Sequence, residues 1–190
     1  LVPGLRAAAA SYLAESVRLA VDLGSPTVVV HAGFHFSEHV ETRLEALVEV
    51  LAETAALAAG EGVVLALENM NVLAPESEIA YLGCTADEVA RILDDVGSPA
   101  LTCCFDVGHA HLLPCGPAAF LERVGPRIGH VQVTDNDGVV DHHLRLGTGT
   151  LDLAATLAAL ESIGYDGPVA IELPDRDDQV ASRAALLAAG

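Results

Sequence analysis

The sequence predicts an α/β protein built on parallel strands. Three observations carry that reading. Short β-branched runs alternate with amphipathic helical patterns along the 190 residues. The runs are almost continuously apolar, as strands covered on both faces are. Hydrophobic residues make up 52% of the chain but aromatics only 4%, so Ala, Leu and Val must build the core. Strand and helix in strict alternation mean parallel strands joined by right-handed crossovers. No linker rich in Pro, Gly or Ser divides the chain, and its length suits one domain spanning residues 1–190.

The elements follow in order. A helix is expected over residues 4–23, with Leu5, Ala9, Tyr12, Leu13, Val17 and Ala20 at helical spacing and Gly24 as its stop. The first strand is TVVVHAG (27–33). A second helix is expected to begin at Ser37, a plausible N-cap with Glu38 beside it, and to end at Gly60. The strand VVLALEN (63–69) leads to a third helix, opened by a capping box of Thr85 and Glu88 and stopped at Gly97. LTCCFDVGH (101–109) is read as a strand, a short helix starts near Pro117, and IGHVQVTD (128–135) is the fourth strand. A helix from about Asp152 to Ile163, the strand PVAIELP (168–174) and a C-terminal helix complete the chain.

Composition removes whole reaction classes. The chain carries 27 Asp plus Glu against 9 Lys plus Arg, a formal net charge of -18, and all its basic residues are Arg. Without Lys there is no Schiff-base aldolase, no pyridoxal phosphate anchor and no P-loop Lys. The acidity disfavours nucleic acid and anionic membrane as primary partners. The four cysteines, Cys84, Cys103, Cys104 and Cys115, show no C-x-x-C spacing and are read as small buried hydrophobes in a reducing cytoplasm. The stretch from Ala7 to Leu23 is interrupted by Glu15, Arg18 and Asp22, so neither a signal peptide nor a transmembrane helix is expected.

The informative pattern is where the ionisable residues fall. His31, Glu68, Asp106 and Glu172 each follow an apolar run, and His130 shares a strand face with Gln132 and Thr134. In parallel α/β folds, ligands bind at the carboxyl ends of strands, so these five groups are expected to meet in one cavity. Each has an ordinary reading as well: Glu68 and Glu172 emerging into solvent, Asp106 as a helix N-cap, His31 and His130 as satisfied core histidines. Their joint occurrence in a chain with eight His and no Lys favours a site. Asp106 and His109 form D-x-x-H, Asp141 and His143 form D-x-H, and Gly147 and Gly149 form G-x-G before Asp152. The G-x-G is read as a turn ahead of the next helix rather than a phosphate cradle, and the segment TDNDGVVDHH as an acidic turn.

The ordered set HAG, LEN, DVGHAH, H-x-x-x-x-D, D-x-H-x-x-x-G-x-G-x-x-D and GYDGPVAIEL, spread over about residues 25–175, resembles the sugar phosphate isomerase/epimerase group of xylose isomerase-like TIM barrels. That superfamily also holds the endonuclease-IV-like apurinic endonucleases. The resemblance implies a (β/α)8 barrel, and a divalent metal held by Glu68, Asp106, His130 and Glu172. In the endonuclease branch it implies further zinc ligands at His31, His109, Asp141 and His143. A complete barrel takes eight strands in about 250 residues, whereas five strands are counted here. The strand bearing His31 matches the fourth of the barrel, so the chain is expected to be incomplete, with three N-terminal strands absent, as a fragment or as a natural half-open form. Gln132 stands where many relatives carry a second His, and His142 has no assigned role.

Carboxylates with one His suit Mn, Co, Mg or Zn rather than a soft thiolate metal. The chemistry implied is isomerisation or epimerisation of a sugar or sugar phosphate through an enediolate, with Glu68 and Glu172 moving the proton on opposite faces. His109 is assigned to a substrate hydroxyl, His31 to the substrate site, and Arg145 to a distal hydroxyl or phosphate. Two other readings compete. A zinc phosphodiester hydrolase predicts two or three metals per chain in place of one. An inactive fragment predicts self-association into homo-oligomers through open sheet edges and no retained metal.

Overall fold

Alternating apolar runs form a single five-stranded parallel sheet in the computed structural model of the protein, which describes residues 4–36, 39–73 and 76–189. Its strands are β1 (Thr27–His31), β3 (Val64–Glu68), β5 (Leu101–Asp106), β6 (Ile128–Val133) and β7 (Val169–Ile171), in that spatial order. The helices between them are α2 (Val40–Glu61), α3 (Ala86–Val96), α5 (Gly116–Val124) and α6 (Leu153–Ser162); α1 (Leu5–Leu23) precedes the sheet and α7 (Arg176–Ala189) follows it. All five expected strands are present.

One face of the sheet carries the core. Leu65, Leu67, Cys103, Phe105, Val131 and Val133 alternate along β3, β5 and β6 and pack into the hydrophobic cluster with Leu51, Ala55, Val89 and Phe120 of the helices. Phe105 lies with its ring centroid 5.3 Å from that of Phe120. The alternate residues, Ala66 and Glu68, Cys104 and Asp106, His130 and Gln132, therefore line the other face. Their phase depends on a bulge. Cys103 pairs with Ile128 but Cys104 with His130, so Gly129 is an extra residue on β6. A Cβ at Gly129 would lie 2.3 Å from Thr102 Oγ1, which explains why glycine holds this position.

The helix ends follow the capping residues. Gly24 ends α1 with φ 67°, and Thr85 Oγ1 accepts the Glu88 N–H at 3.2 Å at the start of α3. Glu88 returns the bond further back, accepting from the Gly83 and Cys84 N–H groups. Asp152 caps α6 by accepting from the Ala155 N–H at 2.9 Å. Helix α2 ends later than expected: Gly60 lies in its last turn and Gly62, with φ 71°, takes the left-handed position. The expected cap at Ser37, with Glu38, lies outside the described residues.

Two features depart from the sequence reading. The run 101–109 is strand only to Asp106, after which Val107–His111 forms a short helix, α4, capped by Asp106. The loops after β1 and β3 also meet as a small antiparallel pair, β2 (Phe34–Phe36) and β4 (Ile79–Tyr81). All four cysteines are free; Cys103 and Cys104 are buried as expected, Cys84 is half-buried and Cys115 is exposed. No helix among the described residues is long and apolar enough to cross a membrane.

Candidate active site at the carboxyl ends of the strands

Glu68 is the last residue of β3 and only 2% exposed. Its carboxylate lies between two imidazoles, Oε2 at 3.1 Å from His31 Nε2 and Oε1 at 3.3 Å from His109 Nδ1. The next residue, Asn69, fastens β3 to β5: its Oδ1 accepts the Asp106 N–H at 2.8 Å and its Nδ2 donates to the Asp106 carbonyl at 3.0 Å. Asp106 thereby ends β5 beside Glu68. Its Oδ1 accepts the His109 N–H at 2.7 Å, and Oδ2 is buried without a hydrogen-bond partner.

His109 is held at both ring nitrogens. Nδ1 lies 2.8 Å from the Asn69 carbonyl and Nε2 3.2 Å from Asp141 Oδ2. A carbonyl and a carboxylate both accept, so the ring is an imidazolium donating at each nitrogen. Burial works against that charge, but the bond to Asp141, the charge of Asp106 and the Asn69 carbonyl together raise its pKa to about 9. Burial pushes the Asp106 carboxyl up to about 7, with the charges of Glu68 and Glu172 acting in the same direction and His109 opposing them. The bond to Glu68 raises the pKa of His31.

On the far wall, His143 adopts a left-handed backbone (φ 46°) that is uncommon for a non-glycine residue. Its Nδ1 bonds the Glu172 carbonyl at 3.1 Å and its Nε2 lies 3.3 Å from Asp141 Oδ2. Burial opposes it, but the Glu172 carbonyl and the Asp141 charge still raise the His143 pKa. Asp141 sits between the two imidazoles, which hold its carboxyl below the usual range despite burial. Glu172 directly follows β7; its N–H reaches the Val133 carbonyl at 3.3 Å and its Oε2 is buried without a partner.

The loop that brings Asp141 and His143 over the sheet is organised by Asp135, which the sequence places in a turn and at the end of the H-x-x-x-x-D motif. Asp135 is 1% exposed. Its Oδ2 accepts the N–H groups of Gly147 and Gly149, each at 2.9 Å, and its Oδ1 accepts those of Asn136 and Leu151. The G-x-G segment thus grips the chain's own carboxylate. A Cβ at Gly149 would come within 2.3 Å of Asp135 Oδ1, which fixes glycine there. Asp135→Asn turns one acceptor oxygen into a donor facing N–H groups. We expect it to lower stability by roughly 3 kcal/mol, read as a lower urea midpoint with an unchanged slope.

The structure gathers most of the expected residues but not all. Donor atoms of Glu68, Asp106 and His109 lie within 4.8 Å of one another, as do those of His109, Asp141 and His143. His31 joins through the Glu68 carboxylate, whereas Glu172 reaches His143 only with its main-chain carbonyl. The side chains of His130 and Glu172 belong to neither group; His130 is half-buried and burial lowers its pKa. Arg145 stands apart too, 3.9 Å from Asp178 on the surface, because the turn that carries it packs toward α7. His142 pairs with Asp137 at 3.6 Å. Asn69 was hidden within the LEN triplet; a buried amide between two acids was the available signal.

The donor set fits a divalent cation. Buried carboxylate oxygens without partners, Asp106 Oδ2, Asp141 Oδ1 and Glu172 Oε2, carry a full desolvation penalty that a cation relieves.

Acids and histidines at the carboxyl ends of parallel strands define the class of barrel-type α/β proteins. The chain belongs to the xylose isomerase-like TIM barrel family, whose model matches residues 3–189. Its sheet is a parallel half-barrel, an incomplete form of that fold. It is 34% identical over 175 residues to an uncharacterized protein of Methanocaldococcus jannaschii, covering 89% of this chain and 58% of that protein. It is 32% identical over 115 residues to an L-ribulose 3-epimerase of a Methylomonas species, covering 60% and 37%. The crystal structure of a D-tagatose 3-epimerase-like protein superposes with a TM-score of 0.84 at 33% identity, covering 93% of this chain and 66% of that one. The chain thus spans less than two thirds of the length of each of these relatives.

Proposed function

We propose that the chain carries the catalytic face of a divalent-metal-dependent isomerase that epimerises or isomerises a sugar or sugar phosphate in the cytoplasm. The observation that carries this reading is the pair of carboxylates, Glu68 and Glu172, at the ends of two different strands around Asp106, with Glu172 Oε2 unpartnered. Glu68, Asp106 and Glu172 would hold the ion, one of Mn, Co, Mg or Zn, with His130 of β6 as the fourth ligand. A bound divalent ion supplies Lewis-acid polarisation of the substrate carbonyl. Glu68 takes the proton from the carbon beside that carbonyl, and Glu172 returns one from the opposite face. The His109 imidazolium, its two N–H groups held by Asn69 and Asp141, sets a positive charge beside the site that favours negative charge developing on substrate oxygen.

A second reading, a zinc phosphodiester hydrolase, draws on the group His109, Asp141 and His143. The net charge of -18 weighs against it. The test of both is incubation with a panel of ketopentoses and ketohexoses, free and phosphorylated, in D2O with and without chelator. Deuterium entering beside the carbonyl only when metal is present supports the isomerase. No exchange on any sugar, together with cleavage of an abasic-site oligonucleotide and more than one zinc per chain, overturns it.

A further inference from the structure

Asn136 directly follows the Asp135 carboxylate, is fully buried and engages each of its polar atoms. Its main-chain N–H donates to Asp135 Oδ1 at 2.9 Å, and its carbonyl accepts the Thr150 N–H at 2.8 Å. The side chain reaches two other segments. Its Oδ1 accepts the Gly138 N–H at 2.9 Å, and its Nδ2 donates to the Gly108 carbonyl at 2.8 Å. An N–H on one side and a carbonyl on the other fix which way the amide points.

The bond to Gly108 joins the two parts that carry His109 and Asp141. Residues 137–143 form a loop whose neck is the antiparallel bridge between Asp135 and Leu144, with N–H to carbonyl distances of 3.0 and 2.8 Å. Asn136 stands at that neck. Gly108 immediately precedes His109 on α4 and lets the helix come close: a Cβ there would lie 2.3 Å from Thr134 Oγ1 and 3.5 Å from Asn136 Nδ2. Further along the loop, Asp141 Oδ2 lies 3.2 Å from His109 Nε2. The remaining side-chain tie from α4, between His111 Nε2 and Thr150 Oγ1 at 2.9 Å, is exposed. Exposed groups exchange such a bond for water at little cost, whereas a buried amide and carbonyl left unpaired carry their full desolvation penalty. The Asn136 bond is therefore the one that sets the distance between α4 and the loop.

We infer that Asn136 is a positioning residue: by holding the Gly108 carbonyl at the neck of the loop, it keeps Asp141 on His109 Nε2. The other ring nitrogen is held separately, Nδ1 lying 2.8 Å from the Asn69 carbonyl at the end of β3. Loss of Asn136 thus releases one side of the imidazole and leaves the other fastened. The consequence for turnover rests on the isomerase reading; the consequence for the ring does not.

The test follows the downfield proton NMR signals of the two His109 ring N–H groups in the full chain with chelator present, identified by their loss in His109→Gln. Asn136→Ala and the isosteric Asn136→Asp, which turns the donor to Gly108 into an acceptor, are compared with wild type. In both, exchange of the Nε2 proton with water is expected to speed up by about tenfold or more through local opening of the loop, while the Nδ1 proton keeps its wild-type rate. Leu51→Ala, a truncation in the core away from α4, lowers stability as a whole and is expected to leave the two rates in their wild-type ratio. On any sugar that the wild type turns over, the Asn136 variants should lose on the order of tenfold to a hundredfold in kcat with a smaller change in KM. Equal acceleration of both ring protons, or unchanged rates in both variants, overturns the inference, as does a wild type without two protected ring protons. A wild type that turns over no sugar removes the isomerase reading and leaves the ring protons to decide the role of Asn136.

Discussion

Glu68→Gln and Glu172→Gln are each expected to lower epimerisation by about 100- to 10,000-fold, the contribution of a positioned general acid or base, without unfolding the protein. Glutamine keeps the volume and one acceptor oxygen of each side chain. At Glu68 an amide oxygen can still accept from His31 or His109, which flank the carboxylate at 3.1 and 3.3 Å. At Glu172 the change removes a buried charge whose Oε2 has no partner. Circular dichroism should therefore be unchanged, with the loss confined to turnover. The two variants separate in D2O. If the carboxylates serve opposite faces of the sugar, each variant still exchanges the proton of one epimer and not of the other, while net epimerisation is lost in both. Normal turnover by either variant, on a sugar the wild type accepts, would sink the two-base mechanism.

That two glutamates can be singled out reflects how much of the site is local in sequence. An apolar run that ends in an acid states both that a strand is present and where it ends, so the placement of Glu68, Asp106 and Glu172 at the carboxyl ends of strands was legible. What sequence cannot carry is phase between strands. His130 and Gln132 lie on the same face of the same strand, and only the Gly129 bulge and the register with β5 set His130 beside Cys104 and Gln132 beside Asp106. The helix α4 was hidden because Val107–His111 continues an apolar run, and only the Asp106 side chain, accepting from His109, marks the change. The pair β2 and β4 has three residues in each strand, too few to show a period. Asp135 looked like a turn residue because its four N–H donors come from residues up to 16 positions away.

Asp106→Asn is expected to abolish divalent-cation binding and yet to make the metal-free protein more stable at neutral pH. Asp106 is 1% exposed and burial raises its carboxyl from 3.8 to about 7. A folded-state value above the unfolded one means that the native protein holds the proton more tightly. The stability from the neutral carboxyl is fully present below pH 4 and is lost as pH rises through 7. At about 1.4 kcal/mol per unit, a rise of some three units corresponds to roughly 4 kcal/mol. Asparagine accepts the same His109 N–H bond without the charge, so it escapes that loss. The gap between variant and wild type should open between pH 4 and pH 7 in urea midpoints taken with chelator present. His109, raised to about 9, acts over a different window. Its contribution is present below 6.5 and lost as pH rises through 9, so the comparison stops at pH 6.5. Added Mn2+ should then invert the order, because mass action stabilises only the protein that binds it. An equal gap at pH 4 and pH 6.5 would remove the buried carboxylate as its cause, and stabilisation of the variant by Mn2+ would remove Asp106 from the cation site.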